Sequence, residues 1–288
     1  ARLLATVAIE SRGTASPRPA GAAREAEAIA RRVADPALLA QALNGVYMQT
    51  FHRAGLAAER DGIGAELVAL AARHGLATVE ILGHLIRVQA RSALADFTTA
   101  DAHAEAADRL AARHESPLVG VFTGGYRAMR TAATGAAYPD AEAAYRSWAT
   151  GLAGCGMPGV ERGLAPLALL CLRVWHDLPA VFPADTDWGP YAPWARPLLL
   201  LADGRRDEAT GALRRTPAPP RDLLMEALWC LTARAAVALG DRDAMLRARS
   251  ALAPAAAELA GAGSGLLTAG PVAGHLGRIT NGLLRNPG

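Results

Sequence analysis

The sequence predicts an all-α fold, an α-solenoid of antiparallel helix pairs. Three observations carry that prediction. Ala71-Ala72-Arg73-His74 returns forty residues later as Ala111-Ala112-Arg113-His114. Apolar residues within each unit fall at three-and-four spacing, the period of one helix face. No stretch sustains the alternation of apolar and polar residues that marks a half-buried strand, so essentially no β-sheet is expected.

Each unit reads as helix, short turn, helix, short turn. In the unit 36–75, Pro36 suits a first helical turn, where its missing N–H leaves no bond unmade. Leu38, Leu39, Ala42, Leu43, Val46 and Tyr47 then share one face, and Arg53-Ala54-Gly55 ends the run. Ile63, Leu67, Leu70 and Ala71 form the face of the second helix, which closes at His74-Gly75. Units 76–115 and 116–157 repeat the pattern, and Gly55, Ala95 and Gly135 mark the inner turn of each in one register. A fourth unit opens at 158, with a kink or interruption expected near Pro166. Residues 179–197 hold five prolines and read as an irregular connection. Beyond it, Ala202-Asp203-Gly204-Arg205-Arg206-Asp207-Glu208-Ala209 is echoed thirty-six residues on by Ala238-Leu239-Gly240-Asp241-Arg242-Asp243-Ala244. The expected organisation is a first stack over 1–178, the connection 179–197, and a second stack with a capping helix over 198–288. Residues 1–35 read as an incomplete opening pair and 266–285 as the cap. The chain opens on Ala1-Arg2-Leu3-Leu4, which reads as the inside of a helix, so a fragment of a longer protein is expected.

Composition restricts the function classes. All 30 basic residues are arginine, and 27 acids are interleaved with them for a net charge of +3. A nucleic-acid-binding face needs its basic residues gathered on one surface, so direct nucleic-acid contact is not expected. Cys155, Cys171 and Cys230 have neither CxxC spacing nor a histidine at zinc-ligand distance, which fits a reducing cytoplasm and no metal site. No signal peptide is visible, and the apolar stretch Leu164 to Leu172 is too short to span a bilayer. The chain has no lysine and hence no Walker phosphate loop; GxGxxG after a strand, HExxH and GxSxG are also missing. Gly261-Ala262-Gly263-Ser264-Gly265 reads as a flexible linker. His74 and His114 suit helix C-termini through the helix dipole, and His103 reads as solvated. No catalytic residue and no cofactor is expected, and the chain does not read as an enzyme.

The Gly-Asp turns at 204–207 and 240–243, each after a long first helix, resemble the tetratricopeptide repeat, with units longer than its usual thirty-four or so residues. The stretch Asp35-Pro36-Ala37-Leu38-Leu39-Ala40, through Ala54-Gly55-Leu56-Ala57-Ala58-Glu59-Arg60, to Glu66-Leu67-Val68-Ala69-Leu70-Ala71 is similar to the C-terminal repeats of large transcriptional activators of the SARP type (Streptomyces antibiotic regulatory proteins). Related repeats end the large LuxR-type regulators. The resemblance spans most of residues 1–260. It implies a regulatory or sensor repeat domain, with DNA and nucleotide binding belonging to other parts of the parent protein. The other class admitted by the same residues is a general peptide-binding scaffold unrelated to transcription.

In tetratricopeptide-like stacks the first helix of each pair lines the concave surface. In forty-residue register its inward columns are Asn44, His84, Gly124 and Tyr47, Arg87, Arg127. Glu80, His84, Arg87 and Arg91 share one helix face, a polar stripe suited to a peptide, a helix or a small acidic ligand. The second candidate is the aromatic junction of Trp175, Phe182, Trp188, Tyr191 and Trp194, in a chain otherwise poor in aromatics, which reads either as packing for the irregular connection or as the lining of a ligand pocket. The expected partners are other domains of the parent regulator, a protein partner or a small-molecule effector, with a homodimer admitted and no membrane.

Overall fold

A computed structural model describes residues 1–14 and 16–285, and of residues 158 and 159 the backbone alone. The described residues form helices throughout, and no strand is found among them; two isolated bridges, Gly13 to Arg221 and Leu259 to Pro271, are the only extended pairings there. The opening helices are α1 (Arg2–Glu10) and α2 (Arg18–Val33). The unit 36–75 is α3 (Pro36–Gln49) and α4 (Ala57–His74), and the next is α5 (Ala77–Ala93) and α6 (Phe97–Arg113). The third is α7 (Leu118–Ala133) and α8 (Tyr138–Thr150). Then come a single turn α9 (Pro158–Glu161), α10 (Leu164–Trp175), α11 (Ala192–Ala202) and α12 (Arg206–Arg215). The last three are α13 (Met225–Leu239), α14 (Arg242–Leu252) and α15 (Val272–Arg285). Helices adjacent in sequence pack in pairs, and α1 also reaches α3, α11 reaches α13, and α13 reaches α15, which builds the solenoid-like stack.

The register follows from backbone conformation. Gly55, Ala95 and Gly135, the inner-turn markers, all have positive φ, at 79°, 58° and 87°. A left-handed residue ends a helix and turns the chain back, so three such positions forty residues apart impose three similar hairpins. Ala95 adopts the conformation without glycine's freedom, and its turn is closed by backbone bonds from Ala95 N–H to Ser92 O and from Asp96 N–H to Arg91 O, at 3.0 and 2.9 Å. Helix starts are equally local. The Asp35 carboxylate accepts the N–H groups of Ala37 and Leu38, Asp96 that of Thr99, and Asp241 that of Ala244.

Two expectations shift in detail. The interruption placed near Pro166 lies at Gly163, with φ of 79°, and Pro166 falls in the first turn of α10, where it leaves no hydrogen bond unmade. The connection placed over 179–197 is irregular only to Trp188; Gly189–Tyr191 forms a 3-10 turn and α11 starts at Ala192. Pro197 sits inside α11 and cannot donate to the carbonyl of Pro193. The Thr216 hydroxyl donates to that oxygen instead, at 3.0 Å.

Small residues set the spacing where α4 crosses α5. A Cβ on Gly83 would lie 2.9 Å from the Val68 nitrogen and 3.1 Å from the Gly64 carbonyl oxygen. One apolar cluster runs from Ala54 through Leu164–Val174, Trp188 and Trp194 to Leu283, so the core continues across the connection.

Gly261–Gly265 is not a solvated linker. Every residue from 261 to 270 is buried. Segment 253–271 runs across the stack: the Leu259 N–H donates to Ala93 O at 2.8 Å, Gln89 Nε2 to Ser264 O at 3.3 Å, and Leu266 lies against Gly125. Gly270 sits against the Trp175 ring, and Gly261 against Ala227. The segment satisfies part of its own backbone through Ala260 N–H to Gly270 O and Ala269 N–H to Ala260 O, both 2.9 Å. Glycine allows this because helices can close on a bare backbone.

At the start of the segment, Pro254 meets the Gly55 turn. A Cβ on Gly55 would lie 2.2 Å from the Pro254 carbonyl oxygen. Gly55→Ala therefore combines left-handed strain with a backbone clash, and a loss of roughly 3 kcal/mol or more is expected in urea unfolding. Gly75→Ala, with the same sign of φ (66°) but open space at its Cβ, should lose only about 1–2 kcal/mol. Equal losses in the two variants would show that the Gly55–Pro254 contact is not tight.

Candidate functional site

The polar stripe on α5 is engaged by neighbouring helices. Arg87 and Arg91 both bind the Asp61 carboxylate of α4, at 2.9 and 2.6 Å, and Arg91 also pairs with Asp96 at 3.1 Å. Burial alone would raise the Asp61 pKa, but the hydrogen bonds from Arg91 and Arg87 outweigh it and hold the group below the ordinary carboxylate value. His84 is buried, and its Nδ1 lies 2.8 Å from Nδ1 of His103 on α6. His103 is therefore half-buried rather than solvated. Burial lowers both imidazole pKa values, that of His103 to about 4 with further lowering from Arg87 and His84, so both rings are neutral near pH 7. Glu80 is half-buried on the same helix.

The remaining groove residues do not converge with these. Tyr47 is fully buried and its hydroxyl donates to Gln89, the residue that holds Ser264. Half-buried Asn44 keeps its Oδ1 buried without a hydrogen-bond partner among the described residues. Arg127 is exposed and pairs with Asp108 across α6 and α7. The stripe thus divides into an α4–α5 ion cluster, an α5–α6 imidazole pair and an α6–α7 ion pair.

A second polar cluster went unread in the sequence. Arg60 is 1% exposed, with its guanidinium 4.8 Å from the Phe51 ring centroid and 3.8 Å from Glu258 of the buried segment. Its Nε and Nη1 have no hydrogen-bond partner among the described residues. Glu258 also accepts the Ala57 N–H at 3.1 Å. Burial pushes the Glu226 carboxyl up to about 7, partly offset by Arg60. The available signal was that Glu226 is the one acid on the apolar helix Met225–Leu239.

Of the aromatic junction, Phe182 alone lines a cleft, and Trp175, Trp188, Tyr191 and Trp194 do not line it. Trp188 is buried with its edge on Phe182, ring centroids 4.9 Å apart. Trp194 is buried, Tyr191 is half-buried beneath α11, and Trp175 packs on Gly270. Beside Phe182, between α8, the start of α10 and residues 181–187, lies a cleft of about 520 Å³. Ala165, Pro166, Leu169 and Phe182 give it an apolar wall. Arg173 stands over the rings of Phe182 and Tyr138, at 5.5 and 5.9 Å, and donates to Pro179 O at 3.0 Å. Arg146 at the rim is paired with Glu142, and Asp187 with Arg162. Exposed Glu161 accepts the Gly156 N–H. Arg173 makes no ion pair among the described residues.

Burial pushes the Cys171 thiol up to about 12 and the Cys230 thiol well above its ordinary value, which disarms both as nucleophiles. No group of three or more metal-ligating side chains gathers among the described residues, and no helix there is long and apolar enough to cross a membrane. No known protein family, curated protein or solved structure matches the chain.

The raised Glu226 carboxyl has a defined consequence for stability. The folded state holds its proton to about pH 7, whereas the unfolded chain releases it near 4.5. Between those values the folded state binds more protons, so this group's contribution to stability falls as pH rises. The imidazoles of His84 and His103 act in the opposite sense, so the measurement is the difference between wild type and Glu226→Gln. That difference should shift in favour of the variant from pH 4.5 to 7; a constant difference across the window would contradict the assignment.

Proposed function

We propose that the chain is a regulatory or sensor repeat domain of a transcriptional activator, working in the cytoplasm by binding another domain, a protein partner or a small effector. The observation that carries this reading is the cleft beside Phe182: a concave, largely apolar surface of ligand size with one half-buried cation left free of carboxylates. The stacked helix pairs support it, since such a stack exposes long surfaces and the likeness to activator repeats lies in those same helices. Several ionisable residues are used inside the fold, in pairs that tie one element to another. In this reading, DNA contact belongs to other parts of the regulator.

In-frame deletion of this region from its parent gene should change transcription from the target promoter by about fivefold or more, the lower range of typical regulatory coupling. Unchanged reporter output would sink the regulatory reading. A parent reading frame without any DNA-binding module would do the same and leave a general peptide-binding scaffold.

A further inference from the structure

We propose that the cleft beside Phe182 takes a small amphipathic carboxylate, with its anionic end on Arg173 and its apolar body along Leu169, Pro166 and Phe182. The inference deepens the reading of the chain as an effector-binding domain and rests on it.

Charge decides the ligand's polar end. Arg146 and Asp187 are each already paired, with Glu142 and Arg162. Arg173 differs: it is half-buried, lies against two aromatic rings, and spends one N–H on Pro179 O. A guanidinium has five N–H groups in a planar fork, so Arg173 retains donors that match a planar carboxylate. The rings and the protein wall strip part of its water, which strengthens a charge-assisted bond made there.

Shape decides the rest. Leu169, Pro166 and Phe182 form a continuous apolar side, and exposed Val181 extends it at the rim. A volume of about 520 Å³ suits a small molecule with a short chain or a single ring. A free inorganic anion would leave that wall wet, and a neutral hydrocarbon would leave Arg173 unused. The same two walls also hold the pose: the fork fixes one end, and the edge of Phe182, backed by Trp188, fixes the plane of the other.

The test titrates the folded chain with octanoate and phenylacetate by calorimetry. Octanamide and inorganic phosphate serve as comparison ligands. Binding of the two carboxylates is expected, with octanamide and phosphate each weaker by about tenfold or more, and Arg173→Gln should weaken octanoate by a similar factor. Arg31→Gln, which alters a paired arginine outside the cleft, should change it by about threefold or less. If Arg173→Gln fails to fold, methyl NMR of the wild-type chain decides: octanoate should shift the Val181 resonances. The proposal is overturned if neither carboxylate binds, if octanamide binds as well as octanoate, or if binding leaves Val181 unmoved. Such an outcome leaves the reporter experiment free to succeed through a protein partner. Octanoate binding with an unresponsive reporter would instead keep the cleft and remove its role in transcription.

Discussion

The structure depends on the burial of an irregular backbone segment within a helical stack. Helices satisfy their own peptide groups, so they bury without further demands. Residues 261–270 are buried without that protection, and their polar groups must find partners where water is excluded. They find them within the segment itself and, at its margins, in Ala93 O and the Gln89 side chain. Ala93 and Gln89 sit at fixed places on α5, and His275 Nε2 of α15 lies 2.8 Å from Ala269 O, which fixes where the segment can lie. The hydroxyls of Ser264 and Thr268 add to the set by donating to Gly261 O and Ala260 O. Packing of α5, α7, α10 and α13 is thereby coordinated through one strip of chain.

Charge is used in the same structural way. Asp61 ties α4 to α5, Asp108 ties α6 to α7, and Asp177, itself at a positive φ of 56°, gathers Arg234 from α13 and Arg278 from α15. Arg60 and Glu258 tie α4 to the segment that leads into the buried strip. Ion pairs at such crossings contribute modestly when exposed, but removal of one partner from a buried pair leaves a charge without solvent. Arg173 differs from these arginines because it lies against two rings and makes no ion pair among the described residues.

The repeat was legible because its signals are local. Gly55, Ala95 and Gly135 mark turns, Asp35, Asp96 and Asp241 mark starts, and apolar spacing marks faces; each acts within a few residues of itself. The buried strip was not legible, because a run such as Gly261-Ala262-Gly263-Ser264-Gly265 carries no periodicity and has the composition of a linker. Its fate is decided by bare α-helical surfaces far away in sequence. The polar stripe lies on α5, but its partners, Asp61 and His103, lie on other helices whose register the sequence does not state. Aromatic scarcity marks Trp188 and Phe182 in the sequence, but only Phe182 lines the cleft, and its charged member, Arg173, carried no mark of its own on a helix of leucines.

The buried strip also bears on how such a protein could change over generations. Open solenoids gain and lose units freely, because each unit meets only its neighbours. Here residues 259–270 form a loop closed on itself by the Ala260–Gly270 and Ala269–Ala260 bonds, seated among Ala93, Gly125, Trp175 and Ala227 of four different helices. Duplication of a helix pair between those helices would part the surfaces that the loop fills by two interhelical spacings, roughly 16–20 Å. Unit number is thus tied to the loop, and a duplication in the middle of the gene would leave the loop without part of the surface it is buried against.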